Sequence, residues 1–184
     1  MKTNDFRPWL ALAAAFGLFA TSSTALAQQT YKFHFQAPAG FKNTYKQQHE
    51  IEVSDVPGHR IRVVEMHADF SALGEAAPTF AGVRAKEAYS YLSSDYTAGN
   101  GTAYGYAVTH LQNGDRIFSR FSLMLHTQIG PDGKPISQFS QVGTLTGGTG
   151  KFKGIRGLLR TTGSTDFRTG SAPTIQEGSY YFVE

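Results

Sequence analysis

Glu65, His67, Arg120 and Glu177 carry the side chains whose chemistry best suits a reactive or binding site. Glu65 and His67 stand two apart in the run IRVVEMHA. In an extended strand residues i and i+2 point to the same face, which sets a carboxylate beside an imidazole. Such a pair can act as general acid and base, or as half of a metal site; equally, it can be a polar pair at a barrel mouth or on an outer face. Arg120 shares a face with Phe118, Met124 and His126. If that face is interior, its guanidinium needs a partner, because an unpaired buried charge is very costly. Glu65 or Glu177 would then supply the carboxylate, and the pair would plug the interior or anchor an acidic ligand head group. If Ile117, Phe121, Leu123 and Leu125 point inward instead, Arg120 is solvated. Alternation alone leaves both assignments open.

Other chemistries find less support. His110 and His126 could join His67 in a three-histidine zinc site, but no His-x-His or His-Glu-x-x-His spacing occurs, so no metal and no cofactor are expected. The absence of Cys excludes thiolate nucleophiles, disulfides, Fe–S clusters and thiolate zinc sites. There is no Gly-x-Ser-x-Gly nucleophile elbow, and Gly147–Gly150 is not followed by the Gly-Lys-Ser/Thr of a phosphate loop. The tyrosines Tyr89, Tyr91, Tyr104, Tyr106, Tyr180 and Tyr181 suit either stacking on a flat ligand or packing between strands.

The elements that must position these groups are strands. Tyr31, Phe33 and Phe35 alternate with Lys32, His34 and Gln36; Tyr104, Tyr106, Val108 and His110 alternate with Gly105, Ala107 and Thr109. A period of two marks strands with distinct faces. Pro57-Gly58, Asn100-Gly101, Asn113-Gly114-Asp115 and Pro131-Asp132-Gly133 supply turn signals between the runs. Ser71–Thr79 reads as a longer loop or rim element, and Thr149–Lys153 as one short helical turn. Eight or nine strands joined in sequence by short turns favour a closed up-and-down barrel over a sandwich, since closure removes exposed edges. The prediction is an all-β, eight-stranded antiparallel barrel, wide enough for side chains or one small ligand.

With 184 residues, 40% of them hydrophobic and only 17% charged, the chain suits one domain with a real core rather than disorder or a coiled coil. Residues 1–27 read as a cleaved signal peptide: Lys2 and Arg7, the apolar run Trp9–Ala20, then Ala25-Leu26-Ala27 before Gln28. The run is short of the roughly 20 residues a membrane span needs, so no membrane span is expected after cleavage. Residues 28–184 form the domain, and the expected location is periplasmic or secreted. The net charge is only +3, with one modest cluster at Lys151, Lys153, Arg156 and Arg160. Nucleic-acid binding calls for a concentrated basic stripe, so no such partner is expected.

The stretch Gly143–Gly157, GTLTGGTGKFKGIRG, followed by the polar strand Leu158–Thr165 and the terminal EGSYYF, resembles the allene oxide cyclase barrel-like superfamily, similar in architecture to dirigent proteins and lipocalins. The resemblance implies that this glycine-rich turn joins two late barrel strands, with Phe152 plugging one end and Gly154 and Gly157 letting the chain re-enter the wall. It further implies an eight-stranded barrel with an apolar cavity. The plant cyclases use a shaped cavity, a carboxylate, an ordered water and a cysteine; this chain has no Cys. Fold alone does not transfer activity. The expected function is binding of a small hydrophobic or amphipathic molecule inside the barrel, with or without isomerase or cyclase activity. The alternative is a non-catalytic interaction or scaffold barrel with a filled core. Homo-oligomers are compatible with either.

Overall fold

The computed structural model describes residues 28–38, 40–130, 133–166 and 172–184; the expected leader, residues 1–27, lies outside them. The chain is all-β. It forms β1 (Tyr31–Gln36), β2 (Asn43–Glu52), β3 (His59–Asp69), β4 (Thr79–Phe80), β5 (Val83–Thr97), β6 (Asn100–Leu111), β7 (Arg116–Ile129), β8 (Pro135–Gly148), β9 (Ile155–Thr165) and β10 (Thr174–Phe182). Every pairing is antiparallel, and the sheet order is β1-β10-β9-β8-β7-β6-β5-β3-β2, with the two-residue β4 beside β5. Apart from β1 this is an up-and-down meander. No helix among the described residues is long and apolar enough to cross a membrane.

The expectation of eight strands closed by hydrogen bonds needs correcting. The sheet path has two ends, β1 and β2, with no ladder between them. Following the antiparallel pairings along the path makes β1 and β2 run in the same direction. A laddered parallel pair needs a crossover of about a dozen residues or more, but only residues 37–42 connect these two. β2 therefore starts near where β1 stops, and aromatic packing fills the join. Phe41 stacks on Phe70 at 5.5 Å, while Phe35 lies edge-on to Phe70 and Phe41 at 5.8 and 6.4 Å.

The hairpin between β5 and β6 turns at Ala98-Gly99, both with positive φ, rather than at Asn100-Gly101. Two left-handed residues match the twist of a tight hairpin. Asn100 serves the turn from β6 with its side chain, donating to the Ala98 carbonyl and accepting from the Thr127 amide at 2.9 Å.

One end of the curled sheet is plugged. Phe70 and Phe80 come from the segment between β3 and β5, which includes a 3-10 turn at Ser71–Ala76. Phe80 stacks on Phe33 at 4.5 Å. The Tyr180 hydroxyl accepts the Ala81 amide at 2.6 Å, and Lys151 Nζ donates to the Ala81 carbonyl at 2.7 Å. The glycine-rich connector between β8 and β9 adds Phe152, fully buried at the end of a 3-10 turn, Gly150–Phe152. Its glycines are required by contact. Gly150 has φ 49°, and a Cβ there would collide with the Asp115 carboxylate; Gly154 has φ 82°, and a Cβ there would collide with the Val183 carbonyl.

At the opposite end His59 ties the β2–β3 turn to β5. Its Nδ1 lies 2.6 Å from Asp55 Oδ1 and its Nε2 lies 2.9 Å from Asp95 Oδ1. The hydrogen bond to Asp55, then that to Asp95, raises the imidazole above its ordinary value near 6.5. A group whose pKa is raised by folding stabilises most below its unfolded pKa and loses that contribution as pH climbs through the folded value.

Two outcomes are expected. Phe152→Ala should cost about 3–5 kcal/mol in denaturant unfolding. His59→Gln should lower the thermal midpoint below about pH 6.5, with the deficit against the unmodified chain shrinking as pH rises above that value.

Candidate functional site

All nine strands of the sheet path contribute side chains to one interior cavity of about 260 Å³. Its location follows from register. One run of opposed residues goes from Val64 through Leu92, Gly105, Phe121 and Gly143 to Leu159. These positions are apolar or glycine, and they form the greasy middle of the cavity. Phe35, Phe41, Phe70 and Phe80 close the plugged side.

The neighbouring inward run is polar. It goes from Arg62 through Ser94, Ala103 and Leu123 to Gln141, Thr161 and Gln176. Gln176 Nε2 donates to Thr161 Oγ1 at 3.0 Å. Around Arg62 stand Tyr45 and Tyr96, both lining the cavity. Burial pushes the Tyr96 phenol up to about 12 against the pull of Arg62, and burial likewise raises Tyr45. Both phenols are therefore neutral hydrogen-bond donors at ordinary pH.

A bulge completes this cluster. Opposition passes from Tyr45–Met66 to Gln47–Glu65, leaving Lys46 as the extra residue on β2. Strand parity shifts by one at Lys46, so Tyr45 and, beyond it, Gln48 and Glu50 share the inner side with Arg62. Arg62 Nε lies 3.1 Å from Glu50 Oε2, and its Nη2 donates to Gln48 Oε1. The other Glu50 oxygen is 2.9 Å from Arg60 Nη1.

The residues singled out from sequence lie on the other face. Val64 and Met66 line the cavity, which turns the alternating Glu65 and His67 outward. They are not each other's partners: His67 Nε2 meets Glu87 Oε2 at 3.0 Å, and the Tyr89 hydroxyl donates to the same oxygen at 3.3 Å. The hydrogen bond from His67 holds the Glu87 carboxyl below its usual range. Arg120 is exposed on the outer wall between Tyr106 and Thr144, because Ile117, Phe121, Leu123 and Leu125 face the cavity. Tyr91 and Tyr106 separate it from Glu65 along one outer run. Glu177 is also exposed, with His34 Nδ1 at 3.5 Å. The structure thus brings none of Glu65, His67, Arg120 and Glu177 into the cavity. Among the described residues no three His, Asp or Glu side chains converge on a metal-sized site.

Comparison with protein-family models and with curated proteins finds no match. The residues that sequence reasoning missed are Arg62, Tyr45, Tyr96 and Glu50. The usable signal for Arg62 was its parity with Val64, Met66, Ala68 and Phe70, a row that ends in the aromatic plug.

Spectrophotometric titration should show one phenol ionising near pH 12, absent in Tyr96→Phe. Its persistence in that variant would assign the ionisation to another tyrosine and count against the buried placement of Tyr96.

Proposed function

We propose that this chain is an exported barrel protein that holds one small hydrophobic or amphipathic molecule in its interior, with the architecture of the allene oxide cyclase barrel-like superfamily. The observation that carries this reading is an apolar cavity with a guanidinium and two neutral phenols at one end. Ligand sites are typically apolar, with a few placed polar groups, and measure roughly 300–1,000 Å³; at about 260 Å³ this one fits a small occupant. The barrel reading treats the aromatic join between β1 and β2 as the closure that hydrogen bonds do not make. The leader-like residues 1–27 support export. The connector around Gly147–Gly157, with Phe152 buried beneath it, supports the superfamily assignment.

Binding is better supported than catalysis. Among the described residues, none that line the cavity carries a carboxylate or an imidazole. Any cyclase-like activity would rest on shape, which fixes one conformer and excludes water.

A second reading, an interaction protein working through its outer wall, is favoured by one observation. Tyr104, Tyr106 and Met124 are each 64% exposed on adjacent strands. Large exposed apolar patches mark association surfaces.

Gly143 gives a clean test of the first reading. It lines the cavity, and a Cβ there meets nothing closer than 3.8 Å. Gly143→Leu should fill the space, keep the melting midpoint within a few degrees, and abolish retention of a small apolar mass in native mass spectrometry. Retention unchanged in the variant would end the reading. For the second reading, Tyr104→Ser with Tyr106→Ser should shift sedimentation towards monomer; an unmodified chain that is monomeric at every concentration would dismiss it.

A further inference from the structure

The polar end of the cavity holds an arginine whose hydrogen bonding is incomplete. Glu50 is one carboxylate shared between two guanidiniums, with Oε1 on Arg60 and Oε2 near Arg62. Glu52 stands opposite Arg60, one position further out on β2. Arg62 is the inner of the two arginines, and its side chain is 19% exposed. Its Nε is shielded from solvent and makes no aligned hydrogen bond, although Glu50 Oε2 is only 3.1 Å away. A buried N–H left without an aligned acceptor is costly, more so on a charged group. Glu50 sits at the wet edge, where β2 is exposed at every position beyond Tyr45. It reaches Arg62 from the side, and the geometry shows a contact of charge without a good hydrogen bond.

We propose that this end is a head-group site for the carboxylate of an amphipathic acid, and that Glu50 is its internal competitor, covering Arg62 when no ligand is bound. The proposal rests on the interior-binding reading above and adds the sign of the ligand and the residue that gates it. An incoming carboxylate takes Arg62 through two parallel N–H···O bonds, the arrangement a guanidinium favours. It displaces Glu50 Oε2 and Gln48 Oε1, while Glu50 keeps its contact with Arg60. Tyr45 and Tyr96, neutral phenols that line the same end of the cavity, donate to the anion rather than repel it. The apolar tail then lies along Val64, Leu92 and Phe121 toward the aromatic plug. A cationic head would meet Arg62, the charged group that lines the cavity, while Glu50 and Glu52 stand further out at the wet edge, so the site discriminates by charge as well as by fit.

Isothermal titration with octanoic acid, octan-1-ol and octylamine, three probes of matched chain, tests this directly. The unmodified chain should bind the acid about tenfold or more tighter than the alcohol, the scale of one hydrogen bond to a charged group. Glu50→Gln removes the competitor from an exposed position, and should tighten the acid several-fold and so raise the acid-to-alcohol ratio. Arg62→Gln should erase the preference for the acid over the alcohol. The proposal is overturned if acid and alcohol bind equally, if the amine binds best, or if Glu50→Gln leaves the acid-to-alcohol ratio where it was. In those cases alcohol binding still shows an occupied interior. Failure of all three probes to bind sinks both the proposal and the interior-binding reading. Should Arg62→Gln not fold, Glu50→Gln alone decides the outcome.

Discussion

Which side chains meet in this molecule is decided by the parity of one hydrogen-bonded ladder. It passes from strand to strand from β3 through β5, β6, β7, β8, β9 and β10 to β1, and between the bulges its register is unbroken. A slip of one residue anywhere would exchange the two faces. The inside would then carry Arg120, Glu177 and His67, and the outside would carry the core phenylalanines. Burial of Phe33, Phe121, Leu145 and Leu159 on one parity fixes the register, and every polar group near the cavity takes its place as a consequence. The three bulges on this sheet lie toward the plugged end, at Tyr45/Gln47, Ala85/Glu87 and Phe118/Ser119. They leave Lys46, Lys86 and Thr146 as extra, exposed residues. Bulges bend a strand and raise its local twist, which suits the end where the wall must curl tightly over Phe152 and Phe80.

The cavity's polar groups are arranged by depth. Val64, Leu92 and Phe121 form an apolar middle between the aromatic plug and the Arg62 cation. It lies one ladder position further out, beside phenols and amides that can satisfy it. A charge moved one inward position deeper would lie on the run of Val64, Leu92, Gly105, Phe121, Gly143 and Leu159, where its desolvation would be costly. The glycines on the apolar run matter for the same geometry. At Gly105 and Gly178 a Cβ would press on the neighbouring strand's backbone, so the wall comes closer there than side chains would permit.

Much of the strand pattern was legible because it depends on local alternation. The tyrosine and phenylalanine runs, the Asn113-Gly114 turn and the short turn before Phe152 all announce themselves within a few residues. The cavity was not legible, for physical reasons that can be named. In β3 both parities carry apolar residues: Ile61 and Val63 on one side, Val64 and Met66 on the other. Local sequence therefore gives no reason to prefer Arg62 over Glu65 and His67 as the inward set, and the choice is made by Phe70, beyond the strand's end. The Lys46 bulge is equally silent, yet it alone brings Glu50 to the side of Arg62. His67 was read with its neighbour Glu65, but its partner Glu87 is twenty residues away, on a strand whose register the sequence does not print. The absence of a ladder between β1 and β2 could have been anticipated, since residues 37–42 are too few for a parallel crossover.

That join between β1 and β2 has a mechanical consequence. Elsewhere, parting two neighbouring strands means breaking a row of backbone hydrogen bonds together, and the sheet resists as a unit. Along this line the wall is held by ring contacts among Phe35, Phe41 and Phe70, with the Ala172 amide donating to the Phe41 carbonyl at 3.3 Å. Opening the shell along this line would break fewer backbone hydrogen bonds than parting any laddered pair of strands.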